Sequence, residues 1–394
     1  FPADANNDTS GTSGSVYIQD AQLEQGLVAT SVITTGAVPA QAGLLENTPR
    51  LDYSGGATCP SLLLEPSRTN LVTQSEYFGS SDWVKQNCII TSNDGISPEG
   101  TNNAGTITSS GIFFLYQLAT FTSGVEYTLS FYVKSNGSGG DSFRLYAEGN
   151  SPTITATSEW VRHKYTFTGQ GSVKDFGIRD VGELPIDILI WGAQVEQGSY
   201  ATSYIPTYGT SQTRAGELYE NKNINNFINT ANGFSFYYEI SNFSQTDSSF
   251  SDYFSFKASD SNSPNIRCEL RTDGSAGIFA TGITGWDTIN LSNWTTSGET
   301  TQKLLIVITN NSQKAYLNGV EGSDSSAASI VLPTFQQLVT ENFFGQAALM
   351  KFSVNQAMLF PTALSDLDAR ILTGATTYET FDEMALALNY TVYE

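Results

Sequence analysis

Hydrophobic and polar residues alternate along much of this chain with a period of two. In Gly124–Ser135, Leu129, Phe131 and Val133 fall on one face, and Ser130, Tyr132 and Lys134 on the other. Asp141–Gly149 sets Phe143 and Leu145 against Arg144 and Tyr146. Glu159–Gly169 places Val161, His163, Tyr165 and Phe167 in one row, and Lys174–Asp180 sets Phe176 and Ile178 against Asp175 and Arg179. Such alternation, broken by Gly, Asn and Ser turns, predicts an antiparallel sandwich.

A second set of strands begins near Leu218. Phe234, Phe236, Tyr238 and Ile240 share a face. Lys303–Asn311 is a nearly continuous apolar run, which predicts a strand buried on both sides. Asn318-Gly319 between strand-forming residues predicts a tight two-residue hairpin, and Met350–Phe360 reads as another strand. Thr362–Gly374 then reads as a helix, with Ser365 as its cap, Leu364, Leu367 and Ile371 on one face, and Gly374 as its end. A last short helix follows, with Thr380 and Glu383 in capping-box register. The expected fold class is all-β: two antiparallel sandwiches in tandem, with extended linkers and short C-terminal helices.

One phrase occurs twice. Aligned from Val16 and from Ile188 over twenty residues, the two copies share eleven identities. Each copy is expected to be the last strand and outgoing linker of one module of the same kind. On that basis 1–46 is the end of a preceding module, whose body lies upstream, plus a connector, and Ser15–Asp20 is extended. The linker is 47–61, the first sandwich 62–207, the connector 208–217, the second sandwich 218–376 and the helical tail 377–394. The chain opens at Phe1 and has no signal peptide, as expected of a fragment or a processed product.

Composition narrows the function. Charged residues make up only 14% of the 394 residues, while Gly, Ser, Thr and Asn are abundant, which suits a turn-rich β protein. With 39 acidic and 18 basic residues the net charge is −21, a field that repels phosphate backbones and argues against nucleic acid as a partner. No stretch approaches the roughly 20 apolar residues of a helical membrane span, so no membrane insertion is expected. The three cysteines, Cys59, Cys88 and Cys268, form no framework, and the only histidine is His163, so a Cys/His zinc site is excluded.

Several segments resemble a known family. Arg68–Trp83 (RTNLVTQSEYFGSSDW), YTLSFYVKS, SEWVRHKYTF and WGAQVEQGSYATSYIPT resemble the jelly-roll carbohydrate-binding-like modules of phage tail and fibre proteins. Such modules also occur in secreted bacterial glycan-degrading enzymes. The resemblance covers 62–215. Residues 218–374 resemble the concanavalin-A-like, laminin-G-type sandwich through KAYLNGVEG and AMLFPTALSDLDARILTG. The order of parts resembles phage fibre or tail adhesins. The resemblance implies a host-surface polysaccharide as ligand, other virion proteins as partners, a homotrimer, a place on the virion surface and a structural calcium ion (Ca2+) whose ligands cannot be assigned. Two other settings stay open: the accessory binding part of a secreted polysaccharide-degrading enzyme, and a purely architectural head-fibre or decoration protein.

The residues favour binding over catalysis. Arg267–Arg271 (RCELR) resembles a strand of alginate-lyase-type sandwiches, but His163 lies in the other sandwich and no base partner is evident. The plain expectation is a strand with Ile266, Cys268 and Leu270 inward and the charges outward. No string places two carboxylates for the roughly 5–5.5 Å spacing of a retaining glycosidase. Sugar binding needs flat apolar rings and planar polar groups. Tyr132, Arg144, Tyr146 and Arg179 all fall on non-core faces and would line one sheet if their strands are neighbours; Tyr116, Gln117 and Trp83 could join them. Trp160 and Trp191 read as packing residues, while Trp286 and Trp294 sit in a loop-rich stretch. Glu196, repeated as Glu24, reads as a solvent-facing strand residue.

Overall fold

The computed structural model describes residues 22–23, 49–53, 60–137, 139–182, 184–228, 231, 233–244, 251–259, 263–270, 275–292, 294, 297–298, 301–323, 329–340, 350–374 and 380–388. Nearly all of the expected first copy of the repeated phrase, Ser15–Asp20 included, lies outside the described residues.

The chain enters with β1 (Leu51–Asp52) and β2 (Ser61–Leu64), followed by β3 (Arg68–Asn70). The first sandwich continues with β4 (Val84–Gln86), β5 (Ile89–Gly95), β6 (Ala104–Ser109), β7 (Phe114–Thr120), β8 (Glu126–Ser135) and β9 (Ser142–Ala147). It closes with β10 (Ile154–Thr155), β11 (Val161–Thr168), β12 (Val173–Asp180) and β13 (Ile186–Gln197). Two five-stranded antiparallel sheets result, ordered β10-β9-β12-β7-β4 and β11-β8-β13-β6-β5. The residues the alternation points inward fill the space between them. Leu129, Phe131, Val133, Phe143, Leu145, Phe176 and Ile178 are fully buried in one cluster. Each such side chain contributes about 1.5–3 kcal/mol by leaving water.

The second sandwich follows β14 (Gln212–Arg214) and contains β15 (Glu220–Asn221), β16 (Phe234–Ser244), β17 (Ser251–Lys257), β18 (Asn265–Leu270), β19 (Ala276–Thr281) and β20 (Ile289–Leu291). Then come β21 (Ser297–Gly298), β22 (Gln302–Ile308), β23 (Gln313–Leu317), β24 (Val320–Glu321), β25 (Gln337–Val339) and β26 (Lys351–Phe360). The expected doubly buried strand is β22. Leu304, Ile306 and Ile308 face the core between the sheets, while Leu305 and Val307 pack against Leu364, Ala369 and Leu372 of the helical side. At the expected hairpin, Leu317 pairs with Val320, and Asn318 and Gly319 take φ of 51° and 82°, which a two-residue turn of this hand requires. Helix α1 (Asp366–Thr373) starts where Ser365 Oγ accepts the Asp368 N–H at 3.1 Å. Helix α2 (Phe381–Ala387) starts where Thr380 Oγ1 accepts the Glu383 N–H at 3.2 Å.

The stretch 47–61, read as linker, carries β1 and the start of β2, and both join the second sandwich. β2 pairs with β26, with Leu62 opposite Val354, and Leu64 enters the second core. Three apolar residues, Leu62–Leu64, are too few to display a period, so the sequence concealed this strand. The first sandwich is therefore inserted into the edge of the second. Its two passages lie side by side: β14 pairs with β3, and the Glu217 N–H donates to the Glu65 carbonyl at 3.0 Å. The RCELR strand also departs from its expected arrangement. Ile266 and Cys268 point into the core, but Arg267 and Glu269 do not face open water. They pair at 2.8 Å, and Glu269 is 4% exposed.

Candidate functional site

The outer face of the β10-β9-β12-β7-β4 sheet carries the chemistry. Since Leu115, Phe143, Leu145, Phe176 and Ile178 point inward, their neighbours Phe114, Tyr116, Arg144, Tyr146, Gly177 and Arg179 point out. Register aligns them in rows across the strands. One row runs Arg144, Arg179, Phe114, Gln86, and the next runs Tyr146, Gly177, Tyr116, Val84. The glycine stands between two tyrosines. A Cβ there would run into the Leu115 carbonyl oxygen, so the close approach of β12 to β7 demands glycine.

With no side chain at Gly177, the rings close into one surface. Phe114 stacks on Tyr116 with centroids 4.6 Å apart, and Tyr146 meets Phe114 edge-on at 5.3 Å. The Arg179 guanidinium lies over Phe114 and Tyr146, 5.6 and 5.4 Å from their centroids, a cation–π arrangement. The rings and both arginines are half-buried, so their faces remain within reach of a ligand.

The structure thus brings together Tyr116, Arg144, Tyr146 and Arg179 of the seven residues chosen from sequence. It separates the other three. Tyr132 lies on β8, in the opposite sheet: alternation assigns a residue to a face of its own sheet, and not to a sheet. There it meets Trp191 at 5.4 Å beneath Arg162, in a cluster closed by Tyr204. Gln117 points inward, 4% exposed, and its Oε1 accepts the Thr73 N–H at 3.2 Å. Adjacent strand residues cannot share a face, so Tyr116 and Gln117 were never compatible. Trp83 is 1% exposed, packed on Phe78 and Phe131, with its indole N–H donated to the Gln74 carbonyl at 2.8 Å. Sequence reading missed Phe114 and Gly177, although Phe114 is in alternation with Tyr116.

The repeated phrase forms a buried polar lock at the base of this sandwich. Glu196, read as solvent-facing, is fully buried. Its carboxylate accepts the Thr202 N–H at 2.8 Å and the Thr202 hydroxyl at 2.7 Å, with the Arg68 Nε 3.7 Å away. Gln194 Oε1 accepts the Ile205 N–H at 2.8 Å. Asn70 donates to the carbonyls of Ala193 and Ile205 and accepts the N–H groups of Val72 and Val195. Gln194, Glu196, Thr202, Ser203 and Ile205 recur in the sequence as Gln22, Glu24, Thr30, Ser31 and Ile33, and in the second copy these residues form a lock and not a surface motif.

Calcium takes six to eight oxygen ligands, and among the described residues no three Asp, Glu, His or Cys side chains gather where they could hold one ion. The buried carboxylate of Glu76 is instead served by the hydroxyls of Tyr204 and Tyr208 at 3.0 and 3.2 Å and by Asn103 Nδ2 at 3.1 Å. Burial pushes Glu76 above the usual carboxylate range in spite of these donors. His163 is half-buried against Phe143, at 5.5 Å between rings, and burial lowers its pKa.

A separate cleft of about 710 Å³ opens at the base, lined by Arg68, Thr69, Glu126, Tyr127 and Gln197 among others. Its one ring, Tyr127, belongs to the core, and its hydroxyl accepts the Thr122 N–H at 3.1 Å. It offers no stacking surface, so the aromatic face is the better candidate.

No family model and no curated protein matches this chain. Solved structures give partial likenesses. Ruminococcus gnavus IT-sialidase CBM40 bound to alpha2,3 sialyllactose is 12% identical over 37% of this chain and 84% of that one, with a TM-score of 0.29. The NanB sialidase from Streptococcus pneumoniae is 13% identical over 41% of this chain and 27% of its own, with a TM-score of 0.30. Trypanosoma rangeli sialidase is 8% identical over 36% of this chain and 24% of its own, with a TM-score of 0.29. The chain spans about a quarter of these two sialidases. Likeness at that level fixes no family, and the site's chemistry is that of its own residues.

Proposed function

We propose that this chain is a non-catalytic glycan-binding protein whose site is the Phe114, Tyr116 and Tyr146 face. The observation that supports it is the continuous surface of three half-exposed rings, with arginine at its margin, on the outer sheet of a β-sandwich. Aromatic faces accept the C–H side of a pyranose, and guanidinium groups hydrogen-bond its hydroxyls. The setting follows the sequence resemblance: a fibre or tail adhesin on a virion surface, homotrimeric, meeting a host-surface polysaccharide and other virion proteins.

The test is a glycan array probed with the intact chain, a Tyr116→Ala/Tyr146→Ala double variant and a Tyr132→Ala control. Binding lost in the double variant and retained in the control is the expected result. Binding that persists in the double variant, or no binding by the unaltered chain, overturns this assignment.

A further inference from the structure

We infer that the ligand of the aromatic face is an anionic sugar, a pyranose bearing a carboxylate or a sulfate, gripped between Arg144 and Arg179. The inference rests on the glycan-binding reading and adds the charge of the ligand to it.

The two arginines are direct cross-strand partners on β9 and β12, and both point outward. Like charges placed directly opposite on one sheet face repel each other and destabilise the pair. Carboxylates are plentiful in this chain, with 39 acidic residues to 18 basic ones, yet none among the described residues pairs with Arg144. Among the described residues Arg144 makes no ion pair; its one hydrogen bond is to Thr153 Oγ1 at 3.4 Å, and its Nε is buried without a partner. Among the described residues the one ion pair of Arg179 is with Asp180, at 3.8 Å.

Four other arginines are treated differently. Arg50 and Arg214 pair with Glu65 at 2.9 and 3.0 Å, Arg267 with Glu269 at 2.8 Å and Arg370 with Glu321 at 2.7 Å. Each of these four meets a carboxylate closely, whereas Arg68 has Glu196 at 3.7 Å and Arg162 donates to the Thr202 carbonyl and the Ser130 hydroxyl. At the aromatic face two arginines stand together and, among the described residues, no carboxylate comes closer than Asp180, 3.8 Å from Arg179.

Position strengthens the case. Arg179 is held over Phe114 and Tyr146, at the edge of the stacking surface. A sugar ring lying on those rings would present an equatorial substituent to Arg179 and, one strand further, to Arg144. A carboxylate or sulfate there supplies several acceptor lone pairs to two guanidinium forks and cancels their repulsion.

The experiment sets acidic glycans beside neutral counterparts with the same ring: oligogalacturonate and its methyl ester, lactose 3′-sulfate and lactose. The intact chain, Arg144→Gln and Tyr116→Ala/Tyr146→Ala are compared by calorimetric titration. The expected result is at least tenfold tighter binding of an acidic member than of its neutral partner. Arg144→Gln should erase that preference, and salt should weaken the acidic complex more. The carboxylate and sulfate arms tell the two anions apart. Equal affinity for acidic and neutral partners, still lost in the tyrosine double variant, overturns the anionic assignment and leaves the glycan site standing. Binding of any of these sugars that the tyrosine variant keeps overturns both. A second readout needs no ligand: the unliganded Arg144→Gln protein should melt no lower than the parent, because it relieves repulsion. A melting point lowered by several degrees would make the arginine pair structural and overturn the inference.

Discussion

The side-chain amide of Asn70 donates to the carbonyl of Ile205 at 2.8 Å and so ties the first strand of the inserted sandwich to the segment leaving it. The same side chain caps Val195 N–H on β13, so one residue holds three passages of chain in register. Asn70→Ala should cost about 3 kcal/mol, since it strands several buried backbone groups at once. Urea unfolding followed by tryptophan fluorescence, reporting on Trp83 and Trp191, measures this loss. A change below about 1 kcal/mol would show that the surrounding backbone finds other partners.

Glu65 and Glu76 give stability opposite dependences on pH. Burial disfavours charge on Glu65, but Arg214, Lys351, Arg50 and the Ser203 N–H outweigh it and hold the carboxyl below the usual range. Its contribution is complete above the ordinary glutamate pKa and is lost as pH falls through the depressed folded value. Burial raises Glu76, so its contribution is greatest below the ordinary value and is lost as pH rises through the raised one. Mild acidification should first stabilise the protein slightly and then destabilise it. Glu76→Gln should raise stability at neutral pH by roughly 1 kcal/mol, because an amide needs no charge buried, and should flatten the first phase. Glu65→Gln should lower it by about 3 kcal/mol, by removing the buried carboxylate that Arg50, Arg214 and Lys351 share and leaving the two arginines only Glu217. Melting temperatures from pH 3 to 8 separate the two.

Gly177→Ala should destabilise the first sandwich by about 2 kcal/mol or more, because the new methyl meets the Leu115 backbone and not a movable side chain. Thermal unfolding checks the cost. A well-folded Gly177→Ala protein that still melts like the parent would contradict the tight approach of β12 to β7.

Tyr132→Ala should lose about 1–2 kcal/mol of stability, since its ring packs on Trp191 and under Arg162. It should leave glycan affinity unchanged. Tyr116→Ala should do the reverse. Paired melting and titration measurements on both variants test that division.

The cores were legible because period-two alternation is a local property. Phe131, Leu145 and Ile178 could be placed inward from their neighbours alone. What alternation cannot convey is which strands become neighbours, and so Tyr132 was grouped with Arg144 and Tyr146 although its strand lies in the other sheet. Trp83 shared the aromatic character of a binding residue, and only tertiary packing made it a core plug. Glu196 looked like a surface residue because a charge on a strand usually is one. Its partners, Thr202 and Arg68, come from either side in the chain, and no local pattern announces them. The Leu62–Leu64 strand was hidden for a related reason: its partner, β26, lies almost three hundred residues away.

The insertion of one sandwich into the edge of the other has a mechanical consequence. A single linker acts as a universal joint, whereas here two paired strands, β3 and β14, run into a common anchor where Glu65 meets Arg50, Arg214 and Lys351. The Tyr200 hydroxyl adds a further brace by accepting the Lys351 N–H at 3.1 Å. Tension applied at the aromatic face is divided between both strands, and twisting one sandwich against the other requires the anchor itself to break. The pair behaves as a bracket, transmitting force and orientation from its outer face to its base.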